Sequence, residues 1–515
     1  MDSSGEKPPS GDRDAAADPI TREPSAAGSI WVAESMSLPR EAAFVALVCM
    51  AQFCTQASYL GTLVLLRTIG QTFNVTSPPQ LAWLVAGYSL TVGTFILFSG
   101  RLGDVFGYKR LLITGLAWFS LWSLVAGLSV YSNYRLAVFS RVLQGIGPAI
   151  CLPNALAIFG TAYAPGHRKA MVFAFFGAVA PIGAVFGGTF ASLLTLAWWP
   201  WALWVMAIWL AFLAVVGNFV IPTLPRKNAP PRDWKSWVQV LDLPGAFVGI
   251  VALVLFNFAW TQAPIDGWGT PTVIVPLVLG LLLFGLFVFI ELRLSSMPLL
   301  PFDAVNADVA FVLAAVVCGW ATFGIWTLYL VQILQDIRHL SPLLTTAWFC
   351  PVAIAGAAAA VFTGKLLGQA SLVMTFALVA FTTGAILTAF APTTQLYWGQ
   401  TFVSMIVMPF GMDMSFPAAT LILSDAVARH HQGIGASLVN TVVNYGIALG
   451  VGFAGTVEVH VHGNGETKEE RLRGFRGALY MAIGLAGLGL IVCLAFLTRE
   501  LTSGKADMHD GFELD

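Results

Sequence analysis

Apolar stretches of about 20 residues recur along the chain from residue 43 to residue 497, and short polar segments separate them. Each stretch is long enough for a helix to cross the roughly 30 Å hydrocarbon core of a bilayer. Only 10% of the residues are charged and 57% are hydrophobic, whereas soluble domains carry about 25% charge. The pattern predicts an all-α integral membrane protein.

Fourteen transmembrane helices are predicted, with a polar, proline-rich linker after the sixth. Because the number is even, both chain ends are expected on the same side of the membrane. The predicted spans are 43–66, 80–99, 111–130, 136–158, 170–196, 199–221, 241–262, 271–292, 309–333, 343–363, 371–391, 396–422, 433–456 and 476–497.

Basic residues predict which side that is. With the N-terminus inside, the inner loops and the C-terminal tail hold fourteen lysines and arginines, and the outer loops hold seven. Four of those seven lie in the last outer loop, beside three glutamates. The sequon Asn74-Val75-Thr76 falls in the first outer loop, where a lumenal glycosyltransferase can reach it. Both termini are therefore expected in the cytosol, and Asn74 is a candidate glycosylation site.

Other classes of protein find little support in the sequence. Residues 1–42 are polar and lack a basic segment followed by an apolar one, so we expect a disordered tail rather than a cleaved signal peptide. The six cysteines lie in apolar stretches without metal-ligand spacing, so neither a disulfide framework nor a metal or cofactor site is predicted. Nucleotide-binding loops and nucleophile elbows are missing, which argues against an enzyme. The net charge of −1 gives no indication of a nucleic-acid partner.

Three titratable residues, Glu458, His460 and His462, alternate in the last predicted outer loop. Their spacing would suit a metal site on a strand. A convincing further ligand is missing, so a solvated loop is the favoured interpretation.

The most informative stretch is a charged, glycine-rich turn between the second and third spans. It reads Gly100-Arg101-Leu102-Gly103-Asp104-Val105-Phe106-Gly107-Tyr108-Lys109-Arg110. Its glycines allow two helices to turn back within a short loop. Asp104 can pair with Arg101, three residues away on the same helix face, or with a basic group on a neighbouring helix. Such a pair can act as a conformational latch. The alternative is a charged turn that only fixes topology.

This turn resembles the signature loop of the major facilitator superfamily in residue types, spacing and position. A degenerate copy, Gly364-Lys365-Leu366-Leu367-Gly368-Gln369, follows the tenth span and lacks the acid. A second copy is typical of a fold built from two related halves. The resemblance implies a cytosolic latch formed by Gly100, Arg101, Gly103, Asp104, Gly107, Lys109 and Arg110.

Further segments extend the resemblance. Residues 141–147, which begin with Arg141, are similar to the family's fourth-helix motif, whose arginine is linked to proton transfer. Residues 177–188 are similar to the motif of drug–proton antiporters, although Ala184 stands where that pattern has proline. The fourteen spans, together with residues 410–417, resemble the fourteen-helix drug:H⁺ antiporter branch and its fungal aminotriazole-resistance and boron-efflux members.

The resemblance also implies how the chain is organised. The major facilitator fold would place two six-helix bundles at 43–221 and 309–497. A cytosolic linker at 222–240 and two extra helices at 241–292 would lie between them, and a cytosolic tail at 498–515 would follow.

One departure from the branch concerns proton coupling. Many members carry an aspartate in the first span, in a Leu-Asp-x-Thr pattern, and Gly61 occupies that position here. Asp413, deep in the twelfth span, is the substitute that we expect, because acids inside membranes usually face a cavity and serve function. The fourth and twelfth spans are symmetry equivalents, so Arg141 and Asp413 are each expected to bring one charge to a central cavity. The alternative for Asp413 is a neutral, hydrogen-bonded structural carboxyl.

Two more groups of residues are candidates for packing and for cargo binding. Small residues and a proline in the fifth and thirteenth spans favour close helix packing or a hinge, with tight packing alone an equal alternative. These are Pro181, Gly183, Gly187, Gly188, Gly446 and Gly450. An amphipathic cavity is expected to include Tyr59, Gln144, Trp326 and Asn444.

The sequence thus predicts a proton-coupled exporter of small amphipathic organic molecules, such as drugs or fungal secondary metabolites, that works by alternating access. The alternative is a transporter of a small polar solute such as borate or ammonium. Its partners would be the cargo, protons and the lipid bilayer. We expect a monomer in the cell membrane, with the vacuolar membrane as the other possibility.

Overall fold

The computed structural model describes residues 31–164, 166–224, 233–300, 307–366, 369–426, 432–463, 465 and 467–510. Throughout these residues the regular secondary structure is helical, and no β-strand occurs among them. Fourteen helices are long and apolar enough to cross a membrane, which confirms the predicted number and the fold class.

Seventeen α-helices build the described part of the chain. The first eight are α1 (Leu38–Leu63), α2 (Leu66–Phe73), α3 (Pro78–Phe106), α4 (Tyr108–Leu128), α5 (Tyr134–Gln144), α6 (Ile146–Ala162), α7 (His167–Thr195) and α8 (Pro200–Val220). The others are α9 (Trp234–Val240), α10 (Leu243–Asp266), α11 (Pro271–Arg293), α12 (Ala307–Gln332), α13 (Pro342–Leu366), α14 (Ala370–Ala389), α15 (Gln400–Ala426), α16 (Gln432–Val461) and α17 (Lys468–Asp510). A π-helical turn, Ile333–Ile337, extends α12.

One spanning segment, Tyr134–Ala162, is divided into α5 and α6 at Gly145. Asn133 caps its start, where its side-chain oxygen accepts a hydrogen bond from the backbone N–H of Leu136 at 2.9 Å. A Cβ on Gly145 would lie 2.3 Å from the carbonyl oxygen of Tyr88. Only glycine therefore lets α3 approach the break so closely.

The spanning helices form two halves. Helices α1–α8 pack mainly among themselves, and so do α12–α17. The halves meet along two seams, α3 with α16 and α7 with α13. Helix α10 packs against both α3 and α16, and α11 packs on α10. The two extra helices therefore lie alongside the first seam.

Glycine pairs bring helix backbones together at equivalent places in the two halves. A Cβ on Gly187 of α7 would lie 2.3 Å from the Cα of Ala57 on α1. A Cβ on Gly450 of α16 would lie 2.6 Å from the carbonyl oxygen of Ala321 on α12. The partner glycines, Gly183 and Gly446, face the same helices one turn away. These residues pack helices within one half, whereas Gly188 faces Thr346 of the other half.

Two faces of the bundle can be distinguished by the path of the chain. Because the spans alternate in direction, α1 begins and α17 ends on one side, here called the terminal face. The opposite side is the distal face. Charge patterning predicts that the terminal face is cytosolic.

The N-terminal boundary differs from the predicted one. Helix α1 begins at Leu38, inside the predicted tail. Its first turn is held by Glu41, which accepts hydrogen bonds from the Tyr163 hydroxyl at 3.0 Å and from Arg168 Nη2 at 2.6 Å. These contacts make the last residues of the predicted tail part of the first half. The predicted linker contains α9, and its residues 225–232 lie outside the described part.

The first seam should not tolerate a side chain at Gly93. A Cβ there would lie 2.7 Å from the backbone nitrogen of Tyr445 on the other half. We expect Gly93→Val to destabilise the purified protein by about 1–3 kcal/mol through overpacking, seen as a lower Tm. Gly177→Val on α7 is the matched control, because a Cβ there meets nothing within 4 Å. Equal Tm changes in the two variants would contradict this packing.

Candidate functional site

A cavity of about 60 Å³ lies between the two halves. Its walls come from α1 and α7 on one side and from α12, α13 and α15 on the other. Polar groups are few among the lining residues, and aromatic rings are many. The residues that line it are Gln56, Tyr59, Leu60, Ala180, Pro181, Ala184, Val185, Trp320, Phe323, Trp326, Thr327, Phe349, Val352, Met412 and Asp413.

Asp413 is the acid of this cavity. Its Oδ2 atom is buried and has no hydrogen-bond partner among the described residues. Gly356 of α13 lies opposite, and a Cβ there would come within 2.6 Å of Oδ2 and within 2.8 Å of Pro181 Cγ. The carboxyl therefore fits only because Gly356 has no side chain. A buried carboxylate without a partner is costly, and a proton on it or a cation beside Oδ2 would remove that cost.

Two tryptophans turn their polar edges away from the cavity. Trp326 Nε1 donates to the hydroxyls of Thr388 at 2.8 Å and Ser404 at 2.9 Å. Trp320 Nε1 donates to Ser415 Oγ at 3.1 Å. With their N–H groups satisfied elsewhere, the indole rings offer mainly apolar surface to the cavity. Aromatic faces next to a carboxyl group are suited to binding a cation or an amphipathic molecule.

Tyr59 connects the two halves at the cavity wall. Its hydroxyl lies 3.2 Å from Thr327 Oγ1, and its ring stacks on Phe323 with centroids 6.3 Å apart. Tyr59 and Trp326 both line this cavity, and their part in cargo binding stays a prediction.

Arg141 occupies a separate, fully enclosed site in the first half, where 2% of it is exposed. Its Nε donates to the carbonyl oxygen of Leu84 at 3.1 Å, and its Nη1 donates to Ser58 Oγ at 2.9 Å and to Gln144 Oε1. The guanidinium carbon lies 4.4 Å from the ring centroid of Tyr88, in a cation–π contact. Neutral acceptors and an aromatic face thus surround this charge.

The expectation that Arg141 faces the same cavity as Asp413 is wrong, because Arg141 does not line it. Gln144 is likewise turned inward, where its Nε2 donates to Ser123 Oγ at 2.6 Å. Asn444 is also absent from the cavity wall, and its amide donates to the carbonyl oxygen of its own helix, at Asn440. Sequence position alone could not show how far each helix is rotated about its axis.

The halves are tied together on the distal side of the cavity. Arg67 Nη1 donates to the carbonyl oxygen of Gln335 at 2.7 Å, and its Nε lies 3.8 Å from Asp336 Oδ1. Gln335 Nε2 donates back to the carbonyl oxygen of Val64 at 2.8 Å. These contacts join the π-helical turn after α12 to the end of α1. They bring the two halves into contact at the distal face in this conformation.

Glu458 corrects the interpretation of the last loop as solvated. The structure places it inside α16, buried, where its Oε2 accepts a hydrogen bond from the Tyr329 hydroxyl at 2.8 Å. His460 is exposed and contacts the carbonyl oxygen of Thr456. Within the described ranges, no group of three or more potential metal ligands comes together.

The predicted glycine-rich turn is mostly helical, because α3 continues to Phe106 and only Gly107 separates it from α4. The expected pairing of Asp104 with Arg101 is not found as a hydrogen bond among the described residues. Asp104 accepts a hydrogen bond from the Tyr108 hydroxyl at 2.6 Å, whereas Arg101 Nη1 is buried without a hydrogen-bond partner among the described residues. Lys109 donates to the carbonyl oxygen of Asn218 at 2.8 Å. The degenerate second copy lies partly outside the described residues.

The backbone of that turn depends on two glycines. Gly107 has a φ of 95°, in the region that favours glycine. A Cβ on Gly103 would lie 2.0 Å from Asn154 Oδ1. Gly100 faces Ser437 of the other half, while Arg110 is exposed. The residues of the predicted latch therefore contact four different parts of the molecule.

The cavity also contains residues that the sequence did not single out. Phe349 of α13 and Phe323 of α12 line it, and Gly356 of α13 packs against Asp413 and Pro181 behind the wall. Gly356 lies in a run of small residues, 355–360, that indicates close packing but not which group packs there.

A family profile and individual relatives place the chain in the same family. The sequence matches the profile of the Major Facilitator Superfamily over residues 47–451, and a second match covers 311–511. It is 51% identical over 474 residues to the low affinity ammonium transporter of Saccharomyces cerevisiae, covering 91% of each chain. It is 44% identical over 475 residues to the efflux pump terJ of Aspergillus terreus, covering 91% of this chain and 90% of that one.

A solved structure shows the same fold. A POT family transporter in complex with a thioalcohol-conjugated peptide superimposes with a TM-score of 0.64 at 14% identity, covering 89% of this chain and 96% of that one. Together with the fourteen spans, these likenesses confirm the resemblance inferred from the glycine-rich turn. The chain therefore belongs to the major facilitator superfamily and is a multi-pass membrane transporter of small molecules, not an enzyme.

Proposed function

We propose that this protein exports small amphipathic organic molecules in exchange for protons, with Asp413 as the group that carries the proton. The observation that supports this most is the buried Asp413 Oδ2, which has no hydrogen-bond partner among the described residues and faces an aromatic cavity between the halves. A proton and a cargo molecule would both satisfy that carboxyl. Their competition for one site couples the two fluxes.

Alternating access follows from the arrangement of the two halves. The contacts of Arg67 with Gln335 and Asp336 close the distal face in this conformation. Protons arriving from the distal side would load Asp413 after those contacts open. Deprotonation toward the terminal face would then favour rebinding of cargo.

The size of the cavity bears on the cargo. Drug-sized ligands occupy pockets of about 300–1,000 Å³, whereas this cavity measures about 60 Å³. Export of organic molecules thus requires the halves to separate further during the cycle. The relative named efflux pump terJ supports export as the direction of transport.

The second candidate is ammonium or a similarly small cation. A cavity of about 60 Å³ with one carboxyl and several aromatic faces suits a small cation without further opening. The relative named low affinity ammonium transporter is 51% identical to this chain. In this version Asp413 binds the cargo itself, and transport needs no opposing proton flux.

Arg141 is proposed as a second residue of the coupling machinery, acting at a distance from the cavity. Its charge is held by Ser58 and Gln144, and Ser58 lies one helix position from Tyr59 in the cavity wall. We further propose that the protein works as a monomer in the cell membrane, with the vacuolar membrane as the alternative and both chain ends cytosolic.

Asp413→Asn is expected to abolish proton-driven export, because the amide keeps the shape of the carboxyl and cannot exchange a proton. The measurement is export of ethidium from proteoliposomes under an imposed pH gradient, with a loss of at least about tenfold. Asp266→Asn is the control, since Asp266 is an exposed acid at the distal end of α10. Gradient-driven export that survives in Asp413→Asn would remove this residue from the coupling mechanism.

The two cargo classes are separated in the same vesicles by methylammonium. Uptake of radiolabelled methylammonium that is independent of the pH gradient, together with no ethidium flux, would favour the second candidate. In that case Asp413→Asn should raise the KM for methylammonium, because the counter-charge is lost. Ethidium export that follows the gradient would favour the first candidate.

Arg141→Lys is expected to impair transport although it keeps the charge. A lysine cannot donate to Leu84, Ser58 and Gln144 at once as the planar guanidinium does. The maximal transport rate should fall at least about tenfold and the Tm should drop, since buried acceptors lose their donors. Arg135→Lys, an exposed site on the same helix, should stay near wild type. Wild-type transport by Arg141→Lys would contradict the proposed role.

The orientation can be tested at the sequon. Asn74 is exposed at the end of α2 on the distal face, and Thr76→Ala removes the sequon without changing the left-handed backbone at Asn74. If the distal face is lumenal and the site is used, glycosidase treatment should increase the gel mobility of the wild-type protein and not of Thr76→Ala. An epitope on either chain end that is reached only after the cells are permeabilised would give independent support. An end accessible on intact cells would contradict the orientation.

A further inference from the structure

Helix α10, the first of the two extra helices, contacts both halves of the transporter. Trp83 Nε1 of α3 donates to Gln262 Oε1 of α10 at 3.1 Å. The Tyr445 hydroxyl of α16 donates to the carbonyl oxygen of Leu253, also on α10, at 2.9 Å. Because α3 and α16 belong to different halves, α10 lies across the seam between them.

Two acids lie together where this helix pair reaches the terminal face. Asp242 precedes α10 and Glu291 is in the last turn of α11, and they are only 3% and 4% exposed. A Cβ on Gly245 would lie 2.5 Å from Asp242 Oδ2 and 2.7 Å from Glu291 Oε1, so the two oxygens converge on one point. Glu291 Oε2 accepts a hydrogen bond from the backbone N–H of Leu300.

The converging oxygens receive no donor from any other described group. The two carboxyl groups therefore meet without a donor between them, and their negative charge lies in a nearly dry site. Such a charge needs a positive partner.

Arg101 of the glycine-rich turn is a basic group within electrostatic range of this pair. Its attractive charge interactions are strongest with Asp242, followed by Glu291 and then Asp104. Its Nη1 atom is buried and has no hydrogen-bond partner among the described residues. Beside it, the rings of Phe106 and Trp237 stack with centroids 5.3 Å apart and tie the turn to α9.

We propose that Asp242 and Glu291 are positioning residues that act as the counter-charge of Arg101 and thereby fasten the extra helices to the C-terminal end of α3. Because α10 also packs on α16, this attachment stabilises the first seam at the terminal face. The latch of the turn is thus closed by the extra helices rather than by Asp104. The inference rests on family membership and on these contacts, and it holds for either proposed cargo.

The test is a double-mutant cycle on the full-length protein purified in detergent, with the Tm measured by tryptophan fluorescence. Arg101→Gln leaves the two acids without a positive partner, and Asp242→Asn/Glu291→Gln leaves Arg101 without a negative one, so each variant is expected to lower the Tm by about 2–4 °C or more. The variant that combines all three changes removes both signs of charge and should lose less than the sum of the two separate effects. Single effects that simply add would overturn the proposal.

A second readout follows the position of the seam instead of its stability. A Cβ on Gly100 would lie 3.4 Å from Ser437 Oγ across the seam, so cysteines at these two sites come near disulfide distance. Cys350→Ser removes the exposed native thiol. Crosslinking of the Gly100→Cys/Ser437→Cys pair should slow at least about threefold when Arg101→Gln is added. An unchanged rate would overturn the coupling to the seam.

A conservative variant at residue 101 tests whether its charge is what the site requires. Arg101→Lys keeps the positive charge, and because Nη1 makes no hydrogen bond, it should retain most of the wild-type Tm and crosslinking rate. If Arg101→Lys behaves like Arg101→Gln, charge is not what the site requires and the proposal fails.

The exposed pair Arg499–Asp308, 2.9 Å apart on the terminal face, is the control. Asp308→Asn should shift the Tm by less than about 1 °C, as surface ion pairs contribute little.

Discussion

A charge inside a membrane protein must be neutralised or solvated by the protein itself, because hydrocarbon offers neither ions nor hydrogen bonds. This transporter meets that constraint in three ways. The charge of Arg141 is solvated by a carbonyl, a hydroxyl, an amide and the ring of Tyr88. Asp242 and Glu291 face each other and a nearby arginine. Asp413 has a buried oxygen without a hydrogen-bond partner among the described residues, and it lies at a cavity between the halves.

That difference assigns different roles to the three sites. A charge with a full set of donors or acceptors is stable in one conformation and holds helices in place. A carboxyl without a partner is instead available to a proton or to cargo. The cavity of Asp413 lies where the halves meet, so a ligand there acts on the contacts that must change during transport. Arg141 lies wholly within one half, and its influence has to pass through the packing of α1.

The packing between helices follows from residues without side chains. Gly93 and Gly188 let the halves touch, and Gly187 and Gly450 let neighbouring helices touch within each half. Close backbone contact is the main source of helix association in lipid, where the hydrophobic effect between helices is absent. The extra helices add polar contacts to one seam only. The two seams therefore differ in the interactions that hold them, in keeping with the attachment proposed for the extra helices along the first.

Much of the architecture was determined by the sequence alone. The length of the apolar stretches sets the number of spans, because each backbone polar group in lipid must be bonded within its own helix. The motif around Arg101 identified the family, and Asp413 stood out because an acid in mid-span is rare. The tertiary structure decided which of these groups meet. Whether Arg141 reaches the cavity depends on helix rotation, and the approach of Asp242, Glu291 and Arg101 depends on contacts between spans far apart in the chain. The hydropathy of a span does not show which of its faces meets another helix, since lipid and neighbouring helices are equally apolar surroundings.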